Sequence, residues 1–230
     1  TGVRNRDQLL GAIDGMIWDD DPAQGVIQGS RFLHPDLKLQ FAVPQGFTIQ
    51  NGSRAVSITG SNGQAQFSGG AFSGNLSSYI GQVFSSLTGG QSQVPYPQPH
   101  TTTINGIPAA YTSTRVQSQQ GQVDVSVFAY QWDANTAYHF AMLTPAGSGI
   151  GPFSQMVGSL SRLTDAQARA IRPRVIDVVT VGAGDTVQSL ANRMAYDNLK
   201  LERFLVLNSL TQNSRLVPGS KVKVVVYGTR

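Results

Sequence analysis

A chain of 230 residues, 40% of them hydrophobic, can bury one large core or two smaller ones. It holds no apolar run of the roughly 18 residues that would suggest a membrane span, and it has no cysteine, which excludes a disulfide framework and thiolate chemistry. Only 13% of its residues are charged, below the roughly 25% usual in soluble domains. Gln, Ser, Thr, Asn and Gly take the surface instead, which suits a periplasmic or secreted bacterial protein. No signal peptide is visible. The opening TGVRNRD, without Met, is expected of a processed protein or of a piece of a longer one. The net charge of +4 is uneven. From Asp165 to Arg230 there are ten Lys/Arg and five Asp/Glu, giving +5; from Thr1 to Thr164 there are seven and eight, giving −1. Basic charge invites anionic partners such as lipid headgroups or cell-wall polymers. No Lys/Arg block is dense enough to call for nucleic acid.

Asn5 to Trp18 reads as a helix, with Leu9, Leu10, Ile13, Met16 and Ile17 on one stripe behind Arg4, Arg6 and Asp7. The run DDDP ends it, because Asp21 precedes Pro22 and is biased away from helix. From Leu37 to Leu143 the pattern is mostly strand. LKLQFAVP alternates Leu37, Leu39, Phe41 and Val43 on one face. Asn62-Gly63, Asn105-Gly106 and Gln120-Gly121 are the expected hairpin turns. LSSYIGQVFSSL is a helix within this region, GGQSQVPYPQPH a loop, and Gly151 to Leu163 a last helix. The whole is an α+β pattern: an antiparallel sheet with helices on one face. Ala166 to Val175 is a polar, Arg-rich link. Beyond it, VIDVVTV opens a compact strand–helix–helix–strand unit.

That unit begins VTVGAGDTVQSLANRM (Val179 to Met194), where a Gly-x-Gly turn joins a strand to a helix. A dinucleotide loop would need a third glycine where Val187 stands, and a Walker loop would need Gly-Lys-Ser/Thr, so a phosphate cradle fails. Helix-start chemistry fits better: Asp185 as N-cap, Gln188 as its capping-box partner, and Gly184 easing the swing from strand to helix. Val187, Leu190, Ala191 and Met194 then form an apolar face. Leu201, Phe204 and Leu205 mark a second helix ending at Asn208. Pro218-Gly219 turns into a final strand, with Val222, Val224 and Val226 on one side and Lys221 and Lys223 on the other.

Gly184-Asp185-Thr186, the helix carrying Leu190 and Ala191, Asn208, and Pro218-Gly219 together resemble a LysM domain over about Ile176 to Val226. The last strand lacks the usual Ile-Pro, and AYDNLKLER between the helices is charged. The resemblance implies a βααβ module that binds N-acetylglucosamine glycans such as peptidoglycan or chitin. The implied groove lies between the loop Gly184 to Val187 and the loop Ser209 to Leu216. The implied contacts are Gly184, Asp185, Thr186, Val187, Asn208, Ser209 and Leu210, acting through backbone groups and shallow apolar surface.

A second resemblance lies at the front. Ile13-Asp14-Gly15, Asp20-Asp21-Pro22, Gln24-Gly25, His34-Pro35 and Phe41-x-x-Pro44-x-Gly46-Phe47 are similar to the segment that follows the protease domain in bacterial zinc metallopeptidases related to the CAAX prenyl proteases. It covers roughly Asn5 to Phe47. The sheet region also resembles, on architecture alone, the PsbP/Mog1-like α+β fold. The family's HExxH helix would lie upstream. Within this chain His34, His100 and His139 have no HExxH spacing and the only Glu is Glu202, so no catalytic zinc set is expected here. Asp19-Asp20-Asp21 reads as a helix stop rather than a calcium loop, and no G-x-S-x-G elbow is present. Tyr111, Phe128, Tyr130, Trp132, Tyr138 and Phe140 alternate on strands and are expected in the core, as is His139.

The expected organisation is a helical linker (1–29), an α+β sheet domain (30–164), a link (165–175) and a LysM-like domain (176–230). The expected role is the non-catalytic accessory region of a periplasmic or cell-envelope zinc metallopeptidase. Its partners would be peptidoglycan, the protease domain of the same polypeptide, and substrate proteins. No nucleic acid and no cofactor of its own are expected, the zinc belonging to the absent domain. The alternatives are a purely structural or protein-interaction module, a free-standing envelope binding protein, or an enzyme with an unrecognised site.

Overall fold

The computed structural model describes residues 2–18, 20–52, 54–89, 94–118 and 121–229, with the side chains of 2–7 excepted. Asp19, Gln120 and residues 90–93 of the Pro-containing loop therefore lie outside it, as do the side chains of Arg4, Arg6 and Asp7. The chain forms two compact units, one of residues 23–168 and one that joins 1–22 to 169–230.

The first unit holds strands β1 (Val26–Gln28), β2 (Arg31–His34), β3 (Leu39–Ala42), β4 (Thr48–Asn51), β5 (Val56–Gly60) and β6 (Gly63–Ala71). After helix α2 (Leu76–Leu87) come β7 (His100–Ile104), β8 (Ile107–Ser118), β9 (Gly121–Gln131) and β10 (Thr136–Pro145). Helix α3 (Ser154–Ser159) and the short β11 (Ser161–Arg162) follow. A seven-stranded antiparallel sheet runs β4-β5-β6-β10-β9-β8-β7, and a second sheet runs β1-β2-β3-β11.

The α+β class stands, but the helices lie on opposite faces of the large sheet, not on one. Strand alternation explains this. Along β10, Tyr138, Phe140 and Met142 join Phe128, Tyr130, Phe41 and the α3 residues Met156 and Val157 in one core. Ala137 and Ala141 point the other way, where with Ala110 and Ala129 they form a small-residue floor for Tyr79, Ile80, Val83 and Phe84 of α2. The aromatic face packs ring on ring: Phe41 lies 4.9 Å from Phe67 and 5.0 Å, edge-on, from Phe140. Such contacts add to the area term that drives burial.

Local chemistry sets the elements. Asn75 caps α2, its Oδ1 accepting from the Ser78 amide at 2.9 Å. Asn105 and Gly106 adopt φ of 50° and 79° between the paired Ile104 and Ile107, the mirror-image turn a two-residue hairpin favours. The β5–β6 turn sits one residue earlier than expected, at Ser61-Asn62, because Gly60 pairs with Gly63. Leu37 is exposed, so the buried alternation starts at Leu39. The last helix is also shorter than expected: a 3₁₀ turn at Gly151–Phe153 and then α3.

The second unit contains β12 (Arg174–Thr180), α5 (Val187–Asn192), α6 (Lys200–Asn208) and β13 (Lys221–Tyr227), after α1 (Gly2–Ile13) and with α4 (Asp165–Ala170) at the boundary. β12 and β13 pair antiparallel from Arg174↔Tyr227 to Thr180↔Lys221. Leu190, Ala191, Met194, Phe204, Val222, Val224 and Val225 form the core. Val225 is buried alongside Val224, so the final strand does not divide cleanly into valine and lysine sides. The expected helix to Trp18 ends at Ile13. Gly15 takes φ 76° and the Asp14 carboxylate accepts from the Val178 amide at 2.9 Å, which turns the chain. Met16 to Trp18 then continue extended beside β12. No helix among the described residues is long and apolar enough to cross a membrane.

Candidate functional site

The loop between β12 and α5 is built by its own polar side chains. Asp185 is not the helix cap. Its Oδ2 accepts from the Gly182 amide at 2.8 Å, and the Asp185 amide donates to the Gly182 carbonyl at 3.2 Å, closing a turn. The Asp185 Oδ1 accepts from Ser189 Oγ at 3.4 Å, and the cap passes to Thr186, with extended φ −117° and ψ 163°. Thr186 Oγ1 accepts from the Ser189 amide and Ser189 Oγ accepts from the Thr186 amide, each at 3.0 Å. This reciprocal pair is a capping box, so the partner is Ser189 and not Gln188. Gln188 donates instead to Asn192 Oδ1 at 2.9 Å. Gly184 is not required by the backbone: its φ is outside the left-handed region, and a Cβ there would meet nothing within 4 Å. Gly182 is the tighter glycine, since a Cβ on it would lie 3.2 Å from Asp185 Oδ2.

The opposite loop is held by Asn208. Its Nδ2 donates to the Phe204 carbonyl at 3.0 Å and the Lys223 carbonyl at 2.8 Å, and its Oδ1 accepts from the Lys223 amide at 2.7 Å. Both amide hydrogens are committed, so Asn208 fixes the end of α6 to β13 and has none to offer a ligand. Ser209 takes φ 55° as the helix C-cap, and the Leu210 amide returns to the Leu205 carbonyl at 2.8 Å.

The two loops meet over one apolar floor. Val187, Leu210 and Leu216 are half-buried against the same core of Leu190, Phe204 and Val224. At their base the Val181 amide donates to the Ser220 carbonyl and the Gly219 amide to the Val181 carbonyl, each at 2.8 Å. Among the described residues, the amides of Ala183 and Gly184 make no intramolecular hydrogen bond. Of the seven residues read as glycan contacts, Gly184, Thr186 and Ser209 are exposed, and Asp185, Val187, Asn208 and Leu210 are half-buried. Asp185, Thr186 and Asn208 hold the two loops, and Ser209 shapes the turn after α6.

Phe128, Tyr130, Trp132, Tyr138 and Phe140 are buried, and Tyr111 stacks on Phe128 at 5.2 Å. His139 lies under α2, its Nδ1 2.8 Å from the Tyr79 hydroxyl, which also donates to the Ala137 carbonyl at 3.0 Å. Burial pushes the imidazole down to about 4, so it is neutral near pH 7. Burial, with Tyr138 nearby, pushes the Tyr79 phenol up to about 12. His34 and His100 stand apart on β2 and β7. Among the described residues no three His, Asp or Glu side chains converge to hold a metal ion.

Two features escaped the sequence reading. One is the Thr186–Ser189 box, legible as T-x-x-S. The other is the pairing of Gly15 to Trp18 with β12, which no local pattern announces.

Two solved structures resemble the chain in fold. A crystal structure of a protein from Bacteroides thetaiotaomicron VPI-5482 is 14% identical, with a TM-score of 0.42, over 80% of this chain and 60% of that one; this chain thus spans about three-fifths of that protein's length. The solution structure of cyanobacterial PsbP (CyanoP) from Synechocystis sp. PCC 6803 is 10% identical, with a TM-score of 0.46, over 60% of this chain and 98% of that one. Neither likeness reaches a level from which function follows. No curated protein matches the chain significantly. Residues 179–225, which hold both loops of the groove, match the LysM domain family, so the C-terminal unit carries a LysM domain.

Proposed function

We propose that this LysM domain binds a glycan containing N-acetylglucosamine, with bacterial peptidoglycan as the polymer, in the groove floored by Val187, Leu210 and Leu216. The family match over residues 179–225 carries the reading. The geometry supports it: the motif's polar side chains hold the loops in place, leaving amide donors and apolar surface for a sugar. Pre-organised loops lower the ordering cost of binding.

Sedimentation with purified, insoluble peptidoglycan tests this. The expected result is saturable binding. A Cβ at Gly184 would meet nothing within 4 Å, and Gly184→Trp should lower affinity roughly ten-fold or more without moving the melting temperature. Absence of saturable binding, or unchanged binding by Gly184→Trp, overturns the reading and leaves a structural or protein-interaction module.

The proposal extends to placement in the bacterial envelope, the periplasm first. There the chain would be the targeting and scaffolding region of a zinc metallopeptidase, with the sheet unit meeting the protease domain or substrate protein. The motif resemblance from Asn5 to Phe47 supports this, and catalysis would lie outside the present residues. Sequencing the gene upstream of the Thr1 codon tests it. An HExxH helix is expected; an export signal alone would overturn it and leave an envelope binding protein.

A further inference from the structure

The N-terminal segment builds a second cleft on the LysM unit. Gly15 to Trp18 run antiparallel to β12. The Gly15 amide donates to the Ile176 carbonyl at 2.7 Å, the Ile176 amide to the Met16 carbonyl at 2.9 Å, and the Trp18 amide to the Arg174 carbonyl at 2.9 Å. This lays a third strand on a two-stranded sheet. Its side chains face the α5–α6 connection and the outer side of α6. The cleft is lined by Met16 and Trp18 of this segment and by Tyr196, Leu199, Val206 and Val225. The cleft encloses about 630 Å³, within the roughly 300–1,000 Å³ usual for ligand sites.

Its apolar lining is exposed where a core would be closed. Trp18 is 41% exposed, Leu199 58% and Val206 81%, whereas the other tryptophan, Trp132, is 7% exposed. Clustered exposed apolar groups with a polar rim mark a contact surface. The aromatic wall is fixed, because Trp18 Nε1 donates to the Tyr196 hydroxyl at 2.9 Å. Above it the rim is basic. The Arg203 guanidinium lies 4.2 Å from the Tyr196 ring centre and that of Arg174 4.6 Å. Lys223 also lines the cleft, and Glu202 is the one acid among its lining residues. Among the described residues Arg203 forms no ion pair with a carboxylate.

These features select the occupant. The floor is aliphatic, and the lining cations Arg203 and Lys223 outnumber the one acid, which favours an apolar ligand bearing an anionic group over a neutral sugar. Two or three cations are fewer than the four to eight that draw a protein to an anionic bilayer. An apolar side chain fits the space between Trp18 and Val206, and a carboxylate complements Arg203 and Lys223. We propose that this cleft binds a short peptide segment of a partner protein that pairs large apolar residues with Asp or Glu. The site is separate from the glycan groove and needs the N-terminal segment to exist.

Selection of a random heptapeptide phage-display library on the intact chain, followed by titration of the selected peptides against Trp18 fluorescence, tests this. Selected peptides should combine aliphatic or aromatic residues with an acid. Val206→Asp and Arg203→Glu, both on exposed positions, should each weaken them roughly ten-fold or more. Sedimentation with peptidoglycan should not change in either variant, which keeps this proposal distinct from the glycan reading. The proposal falls if no peptide is enriched, if enriched peptides lack acids, or if both variants bind them as before. It also falls if tetra-N-acetylchitotetraose or phosphatidylglycerol vesicles perturb Trp18 and displace the peptides, since the cleft would then serve a glycan or a lipid.

Discussion

The two units use polar side chains in opposite ways. In the sheet unit, His139 and Tyr79 sit beneath a helix on a floor of alanines, and burial strips the histidine of its charge. In the LysM unit, Asp185, Thr186 and Asn208 stay near the surface and hold backbone in place. A large core can absorb a polar group at a cost in titration; a small one spends polar groups on its loops.

The largest effect that separates the units is a pH response. An unfolded chain takes up a proton on histidine near pH 6.5, but folded His139 does so only near 4. Between those values the unfolded state binds more protons, so the sheet unit loses stability as pH falls through that window. The loss is on the order of 3 kcal/mol at most. The LysM unit contains no histidine. Hydrogen exchange between pH 6.5 and 4.5 should therefore show β9 and β10 losing protection while β12 and β13 hold theirs. His139→Gln should flatten the response; an unchanged slope in that variant would place the acid sensitivity elsewhere.

The same contrast explains what could be read in advance. Alternation along β9 and β10 revealed the sheet, and the LSSYIGQVFSSL stripe revealed α2 to the residue, because each reports which side chains face a core. The pattern could not say which face a helix would cover. That depends on the small residues Ala110, Ala129, Ala137 and Ala141 meeting in space. In the LysM unit the motif located the domain and its loops, but the cap slipped from Asp185 to Thr186, because the carboxylate one residue earlier accepts from the Gly182 amide. The third strand at Gly15 to Trp18 was invisible: its partner lies more than 150 residues away, and Met16, Ile17 and Trp18 fit a helical stripe as well as a strand.

The next effect tests the clamp. Asn208→Ala would leave the Lys223 amide and two carbonyls without their partner, which costs roughly 2–3 kcal/mol. Urea unfolding followed by hydrogen exchange should show β13 weakened and β10 untouched. If β10 weakens equally, the two units unfold together and the contrast between them fails.

The smallest effect separates a cap from a contact. Thr186→Ala removes an N-cap, worth about 1 kcal/mol, against a total stability of roughly 5–15 kcal/mol. The folded fraction therefore stays near unity. Because Oγ1 is committed to the Ser189 amide, peptidoglycan affinity should match the wild type, and Thr186→Ser should restore the lost stability as well. An affinity loss in Thr186→Ala that Thr186→Ser repairs would mean that the hydroxyl also reaches the glycan. The loop's polar groups would then do more than hold its shape, and the backbone-only account of the groove would give way.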